Sequence, residues 1–255
     1  MTGKTYKFVQ INIYKGKYLN DLLDFLKSEN PDFISMQEVT SGELNFAKIG
    51  SDLFAHIKRE TGYDGVCSVD ITLSDGKGTM GNAVFSKFKI LSNKAIFLKE
   101  KNKYTKDQVN DPRFFPFLPR HLLDVAVQIG SEKFRIMSWH GAWTAPPTDT
   151  VETLRQSQIV SNHLKSLKEP FIMGGDLNAI PQSKTVGNIN RVARNLMMDS
   201  GILATTNVKI HKIAPRAYLV DYIFTSSHFD LVKLSVPNIT VSDHLPVIAS
   251  IEYKG

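Results

Sequence analysis

One cysteine, Cys67, is too few for a disulfide framework or for a zinc centre built on clustered thiolates. No apolar run approaches the length of a membrane span, and residues 1–7 lack the apolar core of a signal peptide. A membrane anchor is therefore not expected, and a reducing, cytoplasmic setting is. Repeats, low-complexity tracts and linker-like stretches are missing too, so residues 1–255 read as one domain. Nothing calls for a protein partner, and a monomer is expected. Acidic residues are the scarcer charge, 25 against 31 Lys and Arg, for a formal net charge of +6. That balance favours a polyanionic partner such as nucleic acid. The remainder is ordinary globular composition, 42% hydrophobic and 22% charged, enough to build a sizeable core.

The pattern along the chain is rich in strands. Residues 6–13 alternate apolar and polar, Leu19, Leu22, Leu23 and Leu26 recur at helical spacing, and Asn30-Pro31 ends that helix. Residues 33–36 form a second apolar strand that delivers Gln37 and Glu38. Strand, helix and strand of this length predict a parallel crossover, whose strand ends commonly line a site. A helix is expected over 46–61, strands over 81–85 and 90–97, and a long surface loop over 99–119. Residues 122–129 and 134–140 read as a hairpin around Gly130-Ser131. Asp149 with Glu152 fits a capping box for a helix reaching Leu167, closed off by Pro170. A basic, turn-rich segment over 184–216 precedes strands at 219–224, 231–236 and 245–251. The expected fold class is α/β: packed sheets flanked by helices.

Polar groups sit at strand ends where apolar packing does not ask for them: Asn12, Glu38, His140, Asp176 with Asn178, and Asp243 with His244. Asp221 lies inside the apolar run Val220–Phe224, where a carboxylate must be paired, coordinated or hydrogen-bonded. In residues 171–178 (FIMGGDLN) an apolar strand meets two glycines and then presents Asp176 and Asn178. In a strand-like continuation these two face one pocket. A carboxylate that polarises water, beside an amide that steadies an anionic oxygen, suits cleavage of a phosphate ester. Glu38 offers a hard oxygen for magnesium or manganese. Ser242-Asp243-His244 sets acid and base side by side. The other histidines, His56, His121, His163, His211 and His228, show neither a paired carboxylate nor metal spacing and read as structural.

In their order along the chain, these residues resemble the endonuclease/exonuclease/phosphatase superfamily. The resemblance rests on Asn12, Glu38 in MQEV, His140, Asp176 and Asn178 in GGDLN, Asp221 in VDYIF, and SDHLP at 242–246. It implies a four-layered α/β sandwich, with two mixed sheets between helices, and a metal-dependent phosphoester hydrolase. Asn12, Glu38 and Asp243 would hold the divalent ion, Mg2+ or alternatively Mn2+. Asp176 would orient or deprotonate the attacking water, Asn178 would steady the transition state, and His244 would bind the scissile phosphate with its ring fixed by Asp221. His140 would contact phosphate or assist the leaving group. Arg120 resembles a phosphate-contacting arginine, with a surface charge as the alternative reading. Trp143 would stack a base or cover a sugar ring, or simply pack against a neighbouring helix.

The repair-endonuclease branch carries a tyrosine and Pro-Asn where this chain has Trp139-His140-Gly141. It also carries an acidic residue where this chain has Tyr14. The histidine resembles the DNase I, sphingomyelinase and phosphatase branches instead. With the positive charge, the expectation is a nuclease acting on DNA or RNA. The alternative is a phosphatase or phosphodiesterase acting on a small-molecule, lipid-headgroup or tyrosyl-linked phosphoester.

Overall fold

The computed structural model describes residues 3–47, 52–211 and 216–255. Its strands are β1 (Lys4–Asn12), β2 (Phe33–Gly42), β3 (Asp64–Leu73), β4 (Gly78–Ser86), β5 (Ile90–Phe97), β6 (Lys103–Tyr104), β7 (His121–Ile129), β8 (Glu132–His140), β9 (Phe171–Asp176), β10 (Arg194–Asn195), β11 (Asp221–Thr225), β12 (Phe229–Ser235) and β13 (Val247–Tyr253). The helices are α1 (Leu19–Glu29), α2 (Leu53–Thr61), α3 (Lys106–Asn110), α4 (Val151–Ser166) and α5 (Lys184–Asn190). One sheet has the order β12-β13-β1-β2-β4-β3-β6 and the other β10-β11-β9-β8-β7-β5. Among the described residues no helix is long and apolar enough to cross a membrane.

Alternation along β1 builds the layers. Tyr6 and Phe8 turn inward to a core shared with β7, β8 and β9, whereas Val9 and Ile11 turn outward onto Leu22 and Leu26 of α1 and Leu53 and Ile57 of α2. On the far side, Val160 and Leu164 of α4 and Val186 and Ile189 of α5 join the shared core. The result is helix, sheet, sheet, helix, as the resemblance implied.

Gln10 and Asn12 continue the inward face of β1, so polar groups meet the second sheet near one end of the sandwich. There the Gln37 amide donates to Ser138 Oγ at 2.9 Å, Ser138 donates to the Met36 carbonyl, and Gln10 reaches Asp221 at 3.3 Å. Gly174 lets the sheets close on this seam, because a Cβ there would lie 2.6 Å from Gln10 Oε1 and 2.8 Å from Ser35 Cβ.

The parallel crossover holds: β1 and β2 pair in parallel with α1 between them. So does the hairpin, with Ile129 opposite Glu132 and Gly130 at φ +61°. Other expectations need correction. The second helix begins at Leu53 because Asp52 accepts the N–H groups of Phe54 and Ala55; residues 48–51 lie outside the described set. Helix α4 is capped by Thr150 and Thr153, each accepting the other's backbone N–H. Asp149 instead accepts the N–H groups of Lys184 and Thr185, tying down the first turn of α5. Segment 99–119 is not a plain loop, since it contains β6, α3 and a 3-10 turn at Phe115–Phe117. Strand β3 carries no clean alternation and was not expected.

Candidate active site

The site forms where the carboxyl ends of β1, β8 and β9 meet the amino end of β11 and the loop before β13. Asn12, His140 and Asp176 end their strands and Asp221 begins its own. Glu38 arrives by a bulge. Met36 pairs with Ala83 and Val39 with Gly81, so Gln37 and Glu38 together oppose Asn82. Strict alternation from Ile34 and Met36 would drive Glu38 into the apolar layer under α1. The extra residue puts Val39 there instead and frees Glu38, at φ +58°, to line the cavity.

Asn178 is not on a strand continuation. Its backbone turns left-handed at φ +52°, its N–H donates to Asp176 Oδ1 at 3.0 Å, and its amide donates to the Gly141 carbonyl at 3.3 Å. An Asx turn and a shared pocket therefore coexist, since both residues line the same cavity. The Gly141 carbonyl also accepts from Arg120 Nε at 3.0 Å. A Cβ at Gly141 would lie 2.4 Å from the Leu177 carbonyl oxygen, so glycine is required there. Arg120 is buried against this turn rather than being a surface charge.

Asp176 sits at the centre. Its Oδ2 accepts from the Asn12 amide at 3.1 Å and lies 3.6 Å from His140 Nε2 and 3.7 Å from His244 Nε2. On the far side of its ring, His244 Nδ1 meets Asp221 Oδ2 at 2.8 Å. Ser242 holds the loop by donating to the Asn12 carbonyl at 2.6 Å. Burial pushes the Asp176 carboxyl up to about 6 against the pull of His244, with Asp221 adding to the rise. For His244 burial opposes the charge, but the Asp221 and Asp176 carboxylates outweigh it and hold the ring well above its ordinary range. For His140 burial, Arg120 and His244 act together and hold it well below. The two rings are thus pushed in opposite directions, His244 toward the charged form and His140 toward the neutral one.

The cavity has a volume of about 420 Å3. All ten candidate residues line it except Asp221, which stands behind His244. Trp143 forms part of the wall and meets Phe115, in the 3-10 turn at Phe115–Phe117, edge-on, with ring centroids 5.4 Å apart.

Sequence reasoning missed several groups. His211 lies in the cavity, its ring 5.4 Å from that of His244, and burial pushes it down to about 4 with His244 adding to the fall. His121 and His163 do have paired carboxylates, Asp70 and Asp124. These pairings are long-range, and no local spacing reveals them. Lys15, Tyr14 and Phe46 also line the cavity. The readable signal was Gln10 and Gln37 in otherwise apolar strands, which mark the polar seam behind the site.

The donor set fits a hard divalent cation. Glu38 and Asp243 both line the cavity. Burial pushes the Asp243 carboxyl up to about 7 against the pull of His244, and the charge of Glu38 adds to the rise. A cation between them would remove that repulsion. Asn12 Oδ1 accepts the Tyr14 N–H at 3.1 Å and keeps a second lone pair for a metal. His211, Asp243 and His244 also bring ligand atoms within 4.8 Å of one another, as do Asp176, Asp221 and His244.

Fold and site together define a phosphoesterase of the endonuclease/exonuclease/phosphatase type. The chain belongs to the Endonuclease/Exonuclease/phosphatase family, whose model matches residues 9–244. It is therefore a hydrolase of a divalent-metal-dependent family. No curated protein matches the sequence. Solved structures match in fold. An endonuclease/exonuclease/phosphatase protein from Bacteroides vulgatus superposes with a TM-score of 0.74 at 17% identity, covering 98% of this chain and 99% of that one. A mannosyl-6-phosphatase from Bacteroides thetaiotaomicron gives 0.72 at 16%, covering 97% and 100%. TDP2 from D. rerio, complexed with a single-strand DNA product, gives 0.71 at 15%, covering 98% and 99%.

Proposed function

We propose that the protein hydrolyses a compact phosphoester, with magnesium held by Glu38, Asn12 and Asp243. The observation that carries this reading is the cleft of about 420 Å3 over the acid–histidine cluster, walled by Phe46, Phe115 and Trp143. Its volume is that of a small-molecule site and not of a groove for duplex. A side cavity of about 220 Å3 shares Trp143, Asn178, His211 and His244 with it, giving a leaving group somewhere to go.

In this reading Asp176, raised by burial toward neutrality, takes a proton from the attacking water. Cationic His244 neutralises charge on the phosphate oxygens while Asp221 fixes its ring. Asn178, pinned at Gly141, donates to the transition state. Neutral His140 sits beside Asp176 and orients the water or the leaving oxygen. The bound ion would supply electrostatic stabilisation of a phosphate oxygen.

A second reading, hydrolysis at the end of a nucleic-acid strand, is favoured by the net charge of +6 and by the Trp143–Phe115 ring pair at the wall. Against internal cleavage, some basic side chains are engaged locally, as in Lys106–Glu43 and, in the basic segment over 184–216, Arg194–Asp230.

The deciding assay compares sugar and aryl phosphomonoesters, small diesters, a 5′-tyrosyl oligonucleotide and supercoiled plasmid. Each is run with magnesium, manganese or chelator, beside Asp176→Asn. Metal-dependent turnover of the small esters that disappears in Asp176→Asn supports the first reading. Cutting of plasmid at comparable efficiency, falling steeply with salt, would replace it with a nuclease.

A further inference from the structure

Lys15 has no part in the chemistry just described. It lies in a 3-10 turn after β1, where Tyr14 and Lys15 both hold left-handed backbone, at φ +48° and +52°. Non-glycine residues at such angles are uncommon, and two in succession are held only by their surroundings. Here those surroundings are the Phe46 N–H, which donates to the Lys15 carbonyl at 2.9 Å, and the edge-on packing of Tyr14 on Phe46. The outcome is unusual for a lysine: it is only 6% exposed and lines the cavity.

Its ammonium carries three donors. One goes to Asn110 Oδ1 at 2.6 Å and a second, longer contact goes to the Val109 carbonyl at 3.5 Å, both at the end of α3. The charge lies 5.0 Å over the Phe46 ring. Among the described residues no carboxylate stands within ion-pairing distance of it. Burial pulls the ammonium below its ordinary range, while the more distant Glu38 and Asp243 oppose that pull. A buried lysine with neutral partners and a donor to spare is an expensive feature, and α3 with its capping box is built to hold it. An anionic ligand would offset that cost.

We propose that Lys15, with Asn110 and Phe46, forms a second anion subsite that reads a phosphate or carboxylate group on the substrate, apart from the phosphate being hydrolysed. The proposal rests on the compact-phosphoester reading and narrows it: the preferred substrate is a bisphosphate or a phosphorylated acid. The scissile phosphate lies at Asp176 and His244, and the second anion enters the lobe between Phe46 and α3. Lys15 acts on binding and not on bond cleavage, so its loss falls on KM.

The test uses α,ω-alkanediol bisphosphates of three to six carbons and the matched hydroxyalkyl monophosphates, with magnesium. The expected result is a preference of at least tenfold in kcat/KM for the bisphosphate at one chain length. In Lys15→Met that preference disappears, chiefly through KM, with folding checked by circular dichroism and melting. No preference at any length, or an equal loss on both series in Lys15→Met, would overturn the subsite.

Calorimetry in an Asp176→Asn background separates the two readings. If the unmutated protein turns nothing over, but in Asp176→Asn the bisphosphate still binds at least tenfold tighter than the monophosphate, and only when Lys15 is present, the hydrolytic reading fails and the subsite stands. Equal affinities with and without Lys15 remove the subsite whatever is hydrolysed.

Discussion

At the scale of single residues, the site is a set of paired opposites. Asp176 is raised to about 6 and His244 is held well above its ordinary range, and the proposed mechanism needs the first deprotonated and the second protonated. The sign is fixed: activity rises with pH as Asp176 ionises and falls again as His244 loses its proton. A divalent cation in the cavity favours the charged carboxylate, so the acidic limb of the kcat/KM profile is expected at or below about pH 6. A profile with no acidic limb at any pH where the protein stays folded would remove Asp176 as base. Asp176→Asn and His244→Ala are each expected to lower kcat by at least about a hundredfold with unchanged circular dichroism. Asp221→Asn tests the pair from behind. It leaves the ring in place but takes away one of the two carboxylates that hold it charged, so the alkaline limb moves toward lower pH. If that limb stays put, His244 is not its source.

At the scale of elements, most of the candidate site was readable, because its members sit at or beside strand ends and depart from an apolar pattern. Asn12, His140 and Asp176 are strand-end residues in the structure as in the sequence. Glu38 was readable as a residue but not as a geometry, since the bulge that turns it needs β4 as partner. The buried pairs were not readable, because their partners lie far along the chain. Asp124 on β7 is one such case: it is fully buried and held by His163 on α4 and by Arg135 on β8. Burial works against its charge, but hydrogen bonds from His163 and Arg135 outweigh it and lower the carboxyl below its ordinary range. A depressed carboxylate stabilises the fold above its unfolded value, about 3.9, and that stability is lost as pH falls through the folded value. Asp124→Asn is expected to cost about 3–5 kcal/mol at neutral pH, measured by urea denaturation, and to flatten the loss of stability in acid. A cost below about 1 kcal/mol would mean that the triad is loosely held.

At the scale of the whole molecule, the candidate site is divided between two sheets. Asn12 and Glu38 come from the first, and His140, Asp176 and Asp221 from the second. Neither sheet carries a complete site. Chelation is accordingly expected to abolish turnover while leaving the sheets intact, which parallel activity and circular dichroism measurements would check. The seam of Gln10, Gln37 and Ser138 holds the two halves in one register. Gln10→Leu, which leaves Asp221 short of a donor, is expected to lower activity more than its effect on melting would suggest.

The strand order also bears on how the protein is made. Strand β1 lies between β2 and β13, with Lys4 paired to Tyr253 and Gln10 to Val247. Strand β1 must therefore wait for β13, made much later, before its second edge is covered. Until then the chain carries an open, apolar edge, and pairing across nearly the whole sequence is slow. Activity is expected to emerge only once β13 has paired with β1. Until that moment, a chaperone that shields the edge of β1 has a definite surface to hold.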